Sequence, residues 1–163
     1  MTAQRSVERE GLIIGLIAAA SVAVFYASVD QLAARGPLYT VNLLGLALFR
    51  GVRDPAVVQL PIEMDTGAIL TYTGLHLVVS LVIGFIVTRL IAQAEREPSQ
   101  ARLMLGVIVA GFGVTILAIG YLTTPLSGLL PRWSIIVANS LAVVVVAGYL
   151  VRRHPGLAGR MLG

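Results

Sequence analysis

The chain has 163 residues, of which 57% are hydrophobic and only 12% are charged. A soluble domain carries about twice that charged share, so the composition excludes a water-soluble fold. The formal charge of +4 would indicate nucleic acid binding in a soluble protein. Here arginines flanking membrane spans explain it, and we expect no nucleic-acid partner and no soluble substrate. All 12 basic residues are arginine, a bias that points to a bacterium with a GC-rich genome.

The first predicted span covers residues 11–34. The run from Gly11 to Val29 contains no charged residue, and it is longer than the apolar core of a secretory signal peptide. We therefore interpret it as an uncleaved membrane anchor. Gly11 and Gly15 are four residues apart and share one helix face, which predicts a close approach to another helix.

A short apolar segment over residues 38–50 follows the first span. Gly36 and Pro37 break the helix, and Val41 to Phe49 is too short to cross a bilayer. Two interpretations stay open: a short helix lying in the membrane interface, or a re-entrant segment packed against the other helices.

The second span is predicted over residues 66–93. A polar connector precedes it, and the 22 residues from Gly67 to Thr88 contain no charged side chain. That length is sufficient to cross a bilayer. Glu63 and Asp65 stand just before the span, where their charges favour the helix dipole, and we prefer this role to a cation site.

The third and fourth spans are predicted over residues 103–124 and 133–151. Gly106, Ala110 and Gly113 give the third span a smooth surface suited to helix packing. Trp133 begins the fourth span, at the depth that an indole prefers. Asn139 is expected to fix packing through a hydrogen bond.

These elements predict an all-α membrane protein: a single domain, residues 1–163, forming a four-transmembrane-helix bundle with a short interfacial or re-entrant helix between spans one and two. Eight arginines fall on the side of the termini and four on the other. The positive-inside rule therefore places both termini in the cytoplasm. The expected location is the bacterial inner membrane, with the lipid bilayer as the surrounding solvent.

His76 lies about 15 Å into the second span, near the middle of the bilayer. Tyr72 and Ser80 are four residues away on either side and share its face. A histidine at this depth is a functional candidate, as a haem ligand, a quinone hydrogen-bond donor or a member of a proton relay. We favour a neutral imidazole that hydrogen-bonds another helix. The only other histidine, His154, differs too much in depth for both to bind one haem, so no cofactor is predicted.

Catalytic motifs are absent from the sequence. It has no cysteine, no paired carboxylates within a span and no histidine pair with metal-ligand spacing. The chain is therefore not expected to be an enzyme.

Two stretches carry a resemblance to a known group: GPLYTVNLLGLALFRG, residues 36–51, and YTGLHLVVSLVIGF, residues 72–85. Together they resemble a family of small, uncharacterised bacterial membrane proteins. The resemblance implies a four-helix inner-membrane protein and assigns no activity.

The leading functional hypothesis is an accessory, non-catalytic subunit of a larger bacterial membrane complex of the respiratory or photosynthetic electron-transfer kind. The alternative is a small homo-oligomeric channel or carrier, with His76, Tyr72, Ser80 and Asn139 lining a polar path. A third hypothesis is a haem- or quinone-binding protein.

Overall fold

The described part of the chain is entirely helical. A computed structural model describes residues 2–52, 62–126 and 128–156, with side chains from residue 7 onward. The α-helices are α1 (Thr2–Leu32), α2 (Tyr39–Phe49), α3 (Thr66–Arg96), α4 (Ala101–Leu122) and α5 (Arg132–Arg153), and short 3₁₀ turns precede and follow α4. Most of the predicted connector, from 53 to 61, and the tail from 157 lie outside the described residues.

Four of these helices are long and apolar enough to cross a membrane. They overlap the four predicted spans, which confirms that the described chain is helical and has four helices suited to a multi-pass membrane protein. Helix α1 begins at Thr2, well before the predicted Gly11, because no glycine or proline interrupts the polar residues ahead of it. Helix α2 has 11 residues, about 16 Å of helix, and is too short to cross.

The most extensive contact between helices joins α1 and α3. At its centre the backbones touch. A Cβ added to Gly15 would lie 2.7 Å from the Cα of Leu81, and one added to Gly84 would collide with the carbonyl oxygen of Gly11. Three glycines from two helices therefore permit this crossing, as small residues do elsewhere in membrane proteins.

Buried apolar side chains form two clusters, one toward each end of the long helices. The larger one joins α1, α2 and α5 with the turn after α4, and contains Tyr26, Tyr39, Leu43, Leu126, Leu130, Ile135 and Ala138. The smaller one contains Ile91, Ala94 and Ala101, at the turn between α3 and α4. We call the first end the α2 end, and the other the terminal end because α1 starts and α5 finishes there.

Helix α4 is the least buried of the four long helices. The most apolar part of the other three is 22% buried within the chain, whereas the corresponding part of α4 has no buried residue. Met104, Ile108 and Ile119 pack inward against the two clusters. The opposite face of α4 is left uncovered by the described residues.

Candidate functional site

The intramembrane histidine faces another helix. The imidazole of His76 interacts with the backbone of Ala19 on α1. Tyr72 stacks on the imidazole, with the two ring centroids 6.2 Å apart and the planes 11° from parallel. Among the described side chains, Nε2 of His76 is the buried polar atom left without a hydrogen-bond partner. An unpaired buried nitrogen is costly, so this atom is where a ligand or water would bind.

A second tyrosine extends the polar cluster toward the α2 end. Tyr26 of α1 is buried, and its hydroxyl lies 3.5 Å from the Oγ of Ser134 on α5. Its phenol lies near that of Tyr72 on α3. Tyr26, Tyr72 and His76 therefore form a line of polar groups between α1 and α3, and Ser134 joins it from α5.

The polar line does not continue as an open path toward the terminal end. Ser80, the next residue on the predicted face, is buried, and its backbone oxygen packs against Gly15. Beyond it lies the tight crossing at Gly84. Asn139 does not join the line by a hydrogen bond, because its side-chain nitrogen donates to the Ile135 carbonyl of its own helix at 2.8 Å.

The glycines singled out by the sequence fall into two groups. Gly11 and Gly15 are covered by α3, with backbone or side-chain atoms within 3.1 Å of an added Cβ. A Cβ at Gly106 or Gly113 of α4 would meet nothing within 4 Å. Ala110, between them, is exposed.

A buried carboxylate joins α1 to α2. Asp30 is fully buried near the end of α1. Its side chain accepts a hydrogen bond from the backbone N–H of Thr40 at 2.7 Å and another from the Thr40 hydroxyl at 2.9 Å. Arg35 completes the group, donating to Asp30 at 3.2 Å and covering the ring of Tyr39. Asp30 thus caps the start of α2 from another helix.

A second polar group joins α2 to α3. The fully buried Asn42 donates to the Glu63 carbonyl at 2.9 Å and accepts from the Asp65 N–H at 3.0 Å. Asp65 is the N-cap of α3 and accepts from the Ala68 N–H at 2.8 Å. Arg50 pairs with the same carboxylate at 2.8 Å. The hydrogen bond from Arg50, together with that from Ala68, lowers the pKa of Asp65.

At the terminal end a histidine connects three helices. His154 is the C-cap of α5, and its Nδ1 lies 2.6 Å from Glu95 of α3 while its Nε2 lies 2.9 Å from Glu10 of α1. Burial of the ring opposes its charge, but the hydrogen bonds and charges of the two glutamates outweigh that effect and raise the pKa of His154. We call Glu10, Glu95 and His154 the terminal clasp.

No group of three or more metal-ligating side chains is found within the described ranges. In chemical terms, Nε2 of His76 carries the lone pair when Nδ1 holds the N–H, so it could ligate haem iron or accept a hydrogen bond from a quinol. In the terminal clasp, each ring nitrogen of His154 already binds a glutamate carboxylate, so neither nitrogen is available to a metal ion. Neither cluster holds a nucleophile with an adjacent base, which is the arrangement that covalent catalysis needs.

No family model, characterised protein or solved structure matches this chain.

Sequence reasoning missed Tyr26, Ser134 and the cross-helix role of Asp30. A local signal existed for two of them, because Tyr26 and Asp30 are four residues apart and share a face of α1. For Ser134 the sequence offered none, since only the packing of α5 on α1 brings it to Tyr26.

Proposed function

We propose that this chain is an accessory, non-catalytic subunit of a larger membrane complex in the bacterial inner membrane, with both termini in the cytoplasm. The distribution of arginines supports the orientation. Within this proposal the complex is of the electron-transfer kind that the sequence analysis favours. Its structural task is to present a helix face to another subunit.

The outward face of α4 is the observation that carries the proposal. Gly106, Ala110 and Gly113 form a stripe at helical spacing, bordered by Leu103 and Leu117, which are 62% and 74% exposed. The stripe points away from Met104 and Ile108, the side of α4 that packs on the rest of the chain. The small residues therefore lie on the face that its own chain leaves open.

The contrast with the α1–α3 crossing strengthens this argument. Where the chain packs its own helices most closely, the contact positions are Gly11, Gly15 and Gly84. The stripe on α4 uses the same residue type at similar spacing without an internal neighbour. A helix of another subunit could approach α4 as closely as α1 approaches α3.

Helix α2 lies in the membrane interface in this proposal. Its start is tied to Asp30 at the end of α1, and Arg50, just after its end, is tied to Asp65 at the start of α3. Asp30 is near the last turn of α1 and Asp65 precedes the first turn of α3, so both anchors lie at the α2 end of the molecule. A helix whose two ends are held at the same depth lies parallel to the membrane surface. In a re-entrant segment, one end of the helix would lie deeper in the membrane.

Site-specific photocross-linking tests the subunit role. A benzophenone amino acid replaces Leu117, beside the small-residue stripe, and the matched control replaces Val144, which is 67% exposed on α5. Irradiation of the native membrane is expected to give one discrete adduct with another membrane protein from position 117. Lipid adducts alone at both positions would contradict the proposal.

A second candidate function is a homo-oligomeric channel or carrier, favoured by the unpartnered Nε2 of His76. The line from Tyr26 through Tyr72 to His76 could supply half of a polar path. The tight crossing at Gly84 leaves no room to continue it between α1 and α3, so the remaining half would have to form between subunits.

Proteoliposome flux discriminates the two candidates. The channel predicts a proton or solute flux that disappears in His76→Ala and persists in the control Leu77→Ala, an adjacent exposed residue of α3. The subunit role predicts no flux in either protein.

A further inference from the structure

A basic cleft lies at the terminal end, outside the clusters described above. It has a volume of about 360 Å³ and is lined by Val7 of α1 together with four residues of α3, Arg89, Ala92, Gln93 and Arg96. The two arginines are seven residues apart, two helical turns, so they share one side of α3 about 10 Å apart along its axis. The cleft therefore combines two cations with a partly apolar wall.

The arginines of this cleft differ from those at the α2 end. Arg35 and Arg50 are each paired with an aspartate. Within the described ranges, neither Arg89 nor Arg96 forms an ion pair or a side-chain hydrogen bond. The carboxylates that flank Arg96 in the chain have other partners, because Glu95 lies 2.6 Å from His154 and Glu97 accepts from Gln93 at 2.8 Å. Among the described residues, the donors of both guanidinium groups therefore have no partner.

The position of the cleft along α3 places it at the level of the lipid headgroups. The uncharged run from Gly67 to Thr88 measures about 33 Å as a helix, which matches the hydrocarbon core of a bilayer. Arg89 therefore emerges at the level of the lipid headgroups. Arg96 lies further out, but helical side chains lean toward the N-terminus, so its guanidinium leans back toward the membrane.

We propose that this cleft binds the headgroup of an anionic phospholipid. Guanidinium groups bind phosphate oxygens in a forked, bidentate manner, and two of them favour a lipid whose headgroup carries no compensating ammonium. Val7 and Ala92, which lie beyond Arg89 at the level of the headgroups, face the carbon atoms of that headgroup. The site goes beyond the subunit role and does not depend on it, because its lining residues belong to α1 and α3 and none belongs to α4.

Native mass spectrometry of the full chain tests the site. The protein is reconstituted in nanodiscs of equimolar phosphatidylglycerol and phosphatidylcholine, released from them, and the retained lipids are identified. We expect one phosphatidylglycerol to be retained in preference to phosphatidylcholine. The double variant R89Q/R96Q is expected to lose that preference by roughly tenfold. The control R152Q/R153Q removes the same number of charges from the terminal end and is expected to keep the preference for phosphatidylglycerol.

Four results would overturn the proposal. Equal loss in R152Q/R153Q would show attraction to overall charge, and an unchanged preference in R89Q/R96Q would show that the cleft is not the site. Stabilisation of the detergent-solubilised protein by glycerol 3-phosphate, equal to that by phosphatidylglycerol, would indicate a soluble phosphate ligand. If R89Q/R96Q does not fold, R89K/R96K retains the charge without the guanidinium fork. It is expected to bind more weakly than the native protein, and native-level binding would contradict the proposal.

Discussion

At Gly84 the two longest helices touch backbone to backbone. The carbonyl oxygen of Gly11 and the backbone nitrogen of Gly15 occupy the space where a side chain at Gly84 would begin. Membrane helices gain little from excluding water from one another, so close packing of this kind carries much of their association. The residue that matters most at this crossing is therefore one without a side chain.

Replacing Gly84 with alanine is expected to force α1 and α3 apart. Overpacking of a close contact costs about 1–3 kcal/mol, and the thermal midpoint in detergent should fall. Gly74→Ala is the matched control, because an added Cβ on the same helix at Gly74 meets nothing within 4 Å. Equal midpoints for the two variants would show that the crossing is looser than described.

His154 gives the terminal end its dependence on pH. Its pKa is raised by Glu10 and Glu95, so the folded protein binds the imidazole proton more tightly than the unfolded chain does. The stabilisation is fully present below the ordinary histidine pKa, about 6.5. It is lost as the pH rises through the higher value of the folded state.

The variant His154→Gln isolates this contribution. The difference in thermal midpoint between the native protein and the variant is expected to be largest near pH 5.5–6 and to shrink as the pH rises toward 8.5. Thermal unfolding in detergent across this range measures it. A difference that stays constant, or that grows at high pH, would contradict a charged terminal clasp.

At the scale of single helices, α2 depends on groups that lie outside it. No side chain within it caps its first turn, and Leu38 at its N-cap position makes no such bond. The cap comes instead from Asp30, through Thr40. A helix of 11 residues is marginal by itself, so its order depends on the ends of α1 and α3.

Replacing Asp30 with alanine is expected to release the start of α2. The buried N–H and hydroxyl of Thr40 would lose their acceptor, at a cost of about 1–3 kcal/mol. Hydrogen exchange over residues 39–49 should accelerate, while exchange in α4 stays unchanged. Glu63→Gln is the control, because the Glu63 side chain is exposed and only its backbone carbonyl is used. Unchanged exchange in α2 would show that Asp30 does not hold it.

The spans were predictable because a bilayer sets requirements that a single stretch of sequence must meet. A run such as Gly67 to Thr88 must be long enough to cross and must contain no charged residue, and both properties can be determined from the sequence alone. The helix ends were less predictable. Helix α1 continues through its polar first residues because backbone hydrogen bonding does not stop where charged side chains begin.

For the candidate sites, the sequence predicted contacts between residues of the same helix but not contacts between different helices. The spacing of four residues placed Tyr72 beside His76, and the structure stacks the two rings. The contribution of Tyr26 required the packing of α1 on α3. The terminal clasp likewise unites residues from three helices, with Glu10 and His154 separated by 144 positions.

For the whole molecule, polar groups concentrate at the two ends of the long helices. The aspartates that hold α2 lie at one end, and the terminal clasp and the basic cleft lie at the other. Between them the helices meet mainly through glycines and apolar side chains, with the His76 line and the buried Ser80 and Thr88 as polar exceptions. This distribution is what a bilayer requires, since polar groups are inexpensive at its boundaries and costly at its centre.

Cysteine labelling tests most directly the claim that the chain crosses the membrane four times with its termini in the cytoplasm. The native chain has no cysteine, so Glu63→Cys and Glu97→Cys each introduce a single reactive thiol, before and after α3. A membrane-impermeant maleimide added to spheroplasts is expected to label position 63 at once, and position 97 only after the membrane is permeabilised. Labelling of both positions in intact spheroplasts, or of neither, would contradict the account.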